Sequence, residues 1–261
     1  MTLLQSALAV LSTADPAAKA SASHRAAAAW REGDLAVGSA QPPDRPARPD
    51  RPLLLAPKEM PKRNAGGNAA KRVALLHALA HIELNAIDLA WDLIARFGKA
   101  EMPRVFFDDW VKVADEEALH FELLSARLHE FGARYGDLPA HDGLWQAAAN
   151  TSEDLLARLA IVPLVLEARG LDVTPATIAD MQRAGDEASA ALLERIYRDE
   201  IGHVGAGMRW FEHFARQAGH DPQSHWQALL RSHFRGVLRP PFNDEARAAA
   251  GMPSNFYAFQ K

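Results

Sequence analysis

Residues three apart on an α-helix share a face, so a Glu-x-x-His segment sets a carboxylate beside an imidazole. The chain holds two such segments, Glu117-Ala118-Leu119-His120 and Glu200-Ile201-Gly202-His203. Each interrupts an apolar stripe of helical period. Trp110, Val113, Leu124 and Leu128 flank the first, and Leu193, Ile196, Gly207 and Trp210 flank the second. Two further stripes are interrupted by a single acid. Glu83 falls among Leu76, Leu79, Ala80, Ile87, Ala90 and Ile94, and Glu167 falls among Ala160, Leu164 and Leu171. Four apolar stripes facing one core predict a helical bundle, and six polar ligands would then lie inside it.

Such a core is costly unless something positive sits among the acids. An unpaired buried carboxylate costs several kcal/mol, and four in one place repel one another. Two divalent cations balance four carboxylates, with a neutral imidazole completing the set of each. Spacing supports this reading. Glu83 to Glu117 is 34 positions and Glu167 to Glu200 is 33, so a half-site repeats with an offset of 83 or 84 residues. One Glu-x-x-His is common by chance; two, each preceded by a core-facing Glu at matched distance, form a pattern. Glu83, Glu117, His120, Glu167, Glu200 and His203 are therefore the expected metal ligands. Oxygen and nitrogen donors without sulfur suit two iron ions, or manganese.

Neighbouring residues extend the site. Glu116 and Asp199 precede the motif glutamates and are placed to accept the second ring N–H of the ligating histidines. Tyr197 lies three residues before Glu200 on the same face, as a redox side chain or as plain core. Gly170, Gly202, Gly205 and Gly207 either leave room for a substrate or let helices approach closely. His77 and His81 have the i, i+4 spacing of a zinc pair, but they point away from Glu83 and no third ligand is evident.

Composition limits the remaining choices. Cysteine is absent, which excludes disulfides, thiolate ligands, iron–sulfur clusters and a cysteine nucleophile. The formal net charge of -4 gives no general attraction to nucleic acid or anionic membrane. No uninterrupted apolar run approaches about 20 residues, so no membrane span is expected. The start, MTLLQSALAVLSTADPAAKA, lacks a positive leader and reads as an amphipathic helix; a cytoplasmic protein is the expectation.

Three zones follow from composition. Residues 1–62 carry short helices and a proline-rich arm, QPPDRPARPDRPLLLAPKEMPKR, expected to be extended. The arm reads as a strap packed by Leu53, Leu54 and Leu55, or as a docking segment for a partner. Residues 66–219 form the expected bundle, with helices from about Asn68 to Phe97, Pro103 to Tyr135, Ser152 to Gly170, and Thr174 to Ala218 with a break near Gly185. Thr151 with Asp154 marks the start of the third. Residues 220–261 add one helix and an irregular tail.

The ligand order resembles that of the ferritin-like superfamily, whose di-iron and di-manganese members take one Glu from each of two helices and Glu-x-x-His from each of two others. The strings LLHALAHIELNAIDLAWDLIARF, DEEALHFELLSARL, LVLEARGLD, RDEIGHV and LRPPFN, with the PPDRPARP arm, resemble an uncharacterised bacterial ferritin-like family. A more distant likeness is to tRNA-modifying di-iron hydroxylases. The resemblance implies an all-α, ferritin-like four-helix bundle with a proline-rich arm and a C-terminal extra helix and tail. It implies a metal centre as well; if the metal is iron, the expected chemistry is reduction of dioxygen, and an oxygen-dependent oxidoreductase on a small-molecule substrate is the first reading, with electrons from an external donor or from the substrate. Iron handling as a ferroxidase and a metal-stabilised scaffold for a partner are the alternatives. A tRNA substrate would need a basic surface, and the available cluster, Arg45, Arg48, Arg51, Lys58, Lys62 and Arg63, lies in the arm. Fold supplies no substrate, and sequence leaves open whether the chain forms a homo-oligomer.

Overall fold

Side chains that close a first turn start most of the helices. In the computed structural model, which describes residues 1–60 and 68–258, Thr2 and Gln5 form a reciprocal capping box for α1 (Leu3–Leu11). Asp15, with Pro16 in the first turn, starts α2 (Pro16–Arg31). Asn68 caps α3 (Ala69–Phe97), and α4 runs Arg104–Glu130 behind Pro103. A short α5 (Gly143–Ala149) follows. Asp154 caps α6 (Leu155–Ile161), which passes through a π-helical segment, Val162–Glu167, into α7 (Ala168–Arg183). Asp186 caps α8 (Glu187–Gln217), Asp221 caps α9 (Pro222–His233) and Asn243 caps α10 (Asp244–Ala249). A single turn, α11 (Ser254–Tyr257), ends the described chain. Among the described residues there is no strand, only an isolated bridge between Leu54 and Ala140. The chain is all-helical.

Contacts divide the chain into two units, Met1–Gln146 and Ala147–Lys261. In the first, α3 and α4 form a long hairpin, α1 packs on α3 and α2 on α4. Its core includes Leu76, Leu84, Ile87, Trp91, Phe106, Phe107, Trp110, Leu124 and Leu128. Ser23 ties three helices together: its hydroxyl donates to the Ala114 carbonyl at 2.8 Å and accepts from the Trp91 indole at 2.7 Å. By length and composition α3 could cross a membrane, but 72% of its most apolar window is buried inside the molecule. It also carries buried Glu83, Asp88 and Asp92.

The arm is irregular, as proline density requires, and of its three leucines only Leu55 is half-buried. Leu53 and Leu54 are 59% and 40% exposed. Backbone bonds hold it: Leu55 N–H donates to Ala140 O at 2.8 Å, Ala140 N–H to Leu53 O at 3.0 Å and Ala47 N–H to Leu11 O at 2.8 Å. Two of its arginines are also committed. Arg45 reaches Asp142 at 2.7 Å, while Arg48 reaches Asn85 at 2.7 Å and Asp88 at 3.1 Å. The buried Lys19 also pairs with Asp88, so the arm closes over a charged cluster. Desolvation pushes Asp88 up and Lys19 down, and each opposes the other's shift. Arg51 and Lys58 are exposed; Lys62 and Arg63 lie outside the described residues.

In the second unit the third helix differs from expectation. It starts at Asp154, because the Thr151 hydroxyl is turned back to the Ala147 and Ala148 carbonyls, 3.0 and 3.1 Å away. It does not stop at Gly170 or restart at Thr174. It continues to Arg183 through Pro175. Proline cannot donate to the carbonyl four residues back, and that carbonyl, Leu171 O, accepts instead from Asn243 Nδ2 at 3.1 Å. The break falls at Gly185, whose φ of 71° suits glycine.

Candidate metal centre

The first half-site stands on two regular helices. Glu83 on α3 meets Glu117 and His120 on α4, all three with relative exposures of 5% or less. His120 Nδ1 lies 3.5 Å from Glu83 Oε2 and 3.6 Å from Glu117 Oε2. These separations are long for hydrogen bonds. They match donors arranged around a common ion, since ligand distances of about 2.0–2.2 Å place neighbouring donors roughly 3–3.5 Å apart. One oxygen from each glutamate and one imidazole nitrogen lie within 4.8 Å of one another, a group that could hold a metal ion.

Electrostatics point the same way. Burial and the adjacent Glu117 carboxylate push Glu83 well above the usual carboxylate range. Burial would lower His120, but the adjoining Glu117 and Glu83 carboxylates outweigh it and push the imidazole up to about 11. Protons thus hold the place of positive charge among these groups. A cation would supply the same balance with better geometry, because ligation needs carboxylates and a neutral imidazole. The donor set fits a metal.

The second half-site, in the other unit, is built differently. Glu200 and His203 stand one turn apart on α8, with His203 Nδ1 3.4 Å from Glu200 Oε1. His203 is fully buried, while the Glu200 side chain is 13% exposed. Glu167, also half-buried, ends the π-helical segment, which packs on α8. A π-turn inserts a residue and re-aims the side chains after it, and such turns occur frequently at functional sites. The turn has support of its own: the Trp226 indole donates to Ala160 O at 3.1 Å. An added Cβ at Gly207 would come within 2.4 Å of Pro163 Cβ, so this glycine serves close packing. A Cβ added at Gly205 would lie 3.6 Å from the Ala250 carbonyl oxygen, and one at Gly170 would meet nothing within 4 Å.

The residues around the two half-sites are placed as follows. Glu116 accepts from Lys112 Nζ at 2.8 Å, and Asp199 is half-buried on α8. The Tyr197 hydroxyl accepts from Asn243 Nδ2 at 2.8 Å. His77 and His81 are committed to the loop after α4. His77 Nε2 accepts from Gly136 N–H at 2.9 Å, and His81 contacts the Tyr135 hydroxyl at 2.8 Å and His141 O at 3.1 Å. Sequence reading passed over Asp172, Asn243 and Arg247. Only the Asn-Asp-Glu start of α10, a capping pattern, pointed toward them.

No solved structure matches the chain. An uncharacterised protein of Haemophilus influenzae is 41% identical over 210 residues, covering 78% of this chain and 73% of that protein. The family model described as "Protein of unknown function (DUF455)" matches residues 12–258. With nearly the whole chain inside that match, the protein belongs to this family.

Proposed function

We propose that the two half-sites belong to one dinuclear metal centre in a ferritin-like bundle, and that the protein is an oxygen-dependent oxidoreductase acting on a small molecule. The observation that carries this reading is the enclosed trio of Glu83, Glu117 and His120, two acids and an imidazole buried to 5% exposure or less at ligand spacing. The second Glu-x-x-His, with Glu167 on a π-turn, supports it by repeating the same donor types in the other unit. Four carboxylates would balance two divalent cations, and His120 and His203 would each ligate one. Iron, the metal favoured here over manganese, would supply redox chemistry with dioxygen when bound, with electrons from an external donor or from the substrate.

The protein's own contribution is charge balance, orientation and exclusion of water. Leu76, Leu84 and Ile87 on α3 and Leu124 on α4 are fully buried and keep the first half-site dry, which strengthens its electrostatics. Anaerobic Fe(II) titration with metal analysis, followed by oxygen exposure and optical spectroscopy, tests the reading. Two metals per chain and oxygen uptake are expected, with Glu117→Ala and Glu200→Ala deficient in both. Fewer than one metal per chain after reconstitution, or variants that keep metal and oxygen reactivity, would sink it.

A further inference from the structure

Glu167 leaves its helix at an irregular point, so its position must be fixed by whatever satisfies the backbone around it. Just after Glu167, the Ala168 carbonyl accepts from Arg247 Nη2 at 3.3 Å. The Leu171 carbonyl, which Pro175 cannot serve, takes Asn243 Nδ2 at 3.1 Å. Asp172 receives Arg247 Nε and Nη2, both at 2.8 Å, and the Asn243 N–H at 3.0 Å. The Arg247 guanidinium lies over the rings of Phe242 and Tyr257, 5.2 and 4.5 Å from their centroids, and is 2% exposed. This is a buried, bidentate pair with its remaining surface covered.

Asn243 also reaches the other ligand helix. Its amide donates to the Tyr197 hydroxyl at 2.8 Å, one turn before Glu200 on α8. One side chain therefore joins α7, a turn after Glu167, to α8, a turn before the Glu200/His203 pair. We propose that Asn243, seated by the Arg247–Asp172 pair, is a positioning residue of the second half-site. It sets the separation of α7 and α8 and through it the placement of Glu167 against Glu200 and His203. The C-terminal tail is then part of the metal-binding apparatus although it supplies no ligand; the inference rests on the metal reading above.

Asn243 accepts from Ala246 N–H at 3.1 Å through Oδ1, so Asn243→Asp keeps the cap of α10 and removes both amide donations. Co(II), whose visible absorption reports ligand geometry, is titrated into full-length wild type, Asn243→Asp, Tyr197→Phe and Glu200→Ala. Asn243→Asp is expected to weaken Co(II) affinity about tenfold or more, the usual effect of losing an outer-shell contact, and to alter the spectrum at saturation. Tyr197→Phe moves both readouts the same way by less. Affinity and spectrum equal to wild type in Asn243→Asp would overturn the positioning role and leave the metal centre standing. So would a lower melting temperature of the metal-free variant with an unaltered saturated spectrum, which marks general loosening. If wild type takes up no more Co(II) than Glu200→Ala, the metal reading fails and carries the positioning role with it.

Discussion

The two units present the same donor types in opposite ways. In the first, regular helices of 29 and 27 residues carry Glu83, Glu117 and His120 into full burial, and local helix geometry alone sets the Glu117–His120 spacing. In the second, one acid hangs from a π-turn, another is partly open to solvent, and a tail far along the chain secures both helices. A ligand set on continuous helices is fixed by packing; one on an interrupted helix needs outside polar contacts for each backbone group the interruption frees. The acids of the second half, Glu167 and Glu200, are also the more exposed.

Buried ion pairs provide the largest expected difference between the units. Arg247→Met leaves the buried Asp172 with no charged partner but the partly exposed Arg169, 3.3 Å away, beside the Asn243 N–H, and should cost about 3–5 kcal/mol in chemical unfolding. Lys19→Met in the first unit should cost less, about 1–3 kcal/mol, because Arg48 still faces Asp88 at 3.1 Å. Equal losses would remove the contrast.

Glycines of the second unit give the next test. Gly207→Ala drives a methyl into Pro163 and should destabilise by about 1–3 kcal/mol. Gly170→Ala meets open space and should stabilise by about 0.5–1 kcal/mol. A neutral Gly207→Ala would show that the π-turn is softer than its contacts imply.

The first unit offers a change of sign. Glu83→Gln replaces the buried acid whose ionisation the fold disfavours and leaves Glu117 beside His120, so the metal-free protein should melt higher, by about 1 kcal/mol of added stability. Metal uptake should fall at the same time. A lower melting temperature without metal would mean that the acids stabilise the apo fold, contrary to a site built for cations.

The smallest effect concerns pH at the α8–α9 corner. The imidazoles of His220 and His225 stack with centroids 4.1 Å apart. Desolvation first, then His220, lowers His225 below its ordinary value, with Asp154 opposing. The unfolded chain therefore takes up a proton before the folded one does. Stability is full above about pH 6.5 and declines as the pH falls through the depressed value. Melting curves of wild type and His220→Gln should converge toward low pH, with the variant less sensitive.

Helix starts at Asp15, Asn68, Asp154, Asp186, Asp221 and Asn243 are local events, written in short side chains that reach the next turn. The pairing of Glu117 with His120 and of Glu200 with His203 is equally local, because helical pitch places residues three apart together. These features, and the all-helical class, needed only the sequence. Three others did not. The passage of α7 through Pro175 depends on Asn243, 72 residues beyond the carbonyl it satisfies. The hold on the arm combines backbone bonds to Ala140 and Leu11 with Arg48 meeting Asp88 and Asn85 on α3. His77 and His81 found hydrogen-bond partners in the loop after α4. In each case tertiary structure supplied a distant group that satisfied a backbone carbonyl, a buried charge or an imidazole. No local pattern specifies which distant residue will arrive.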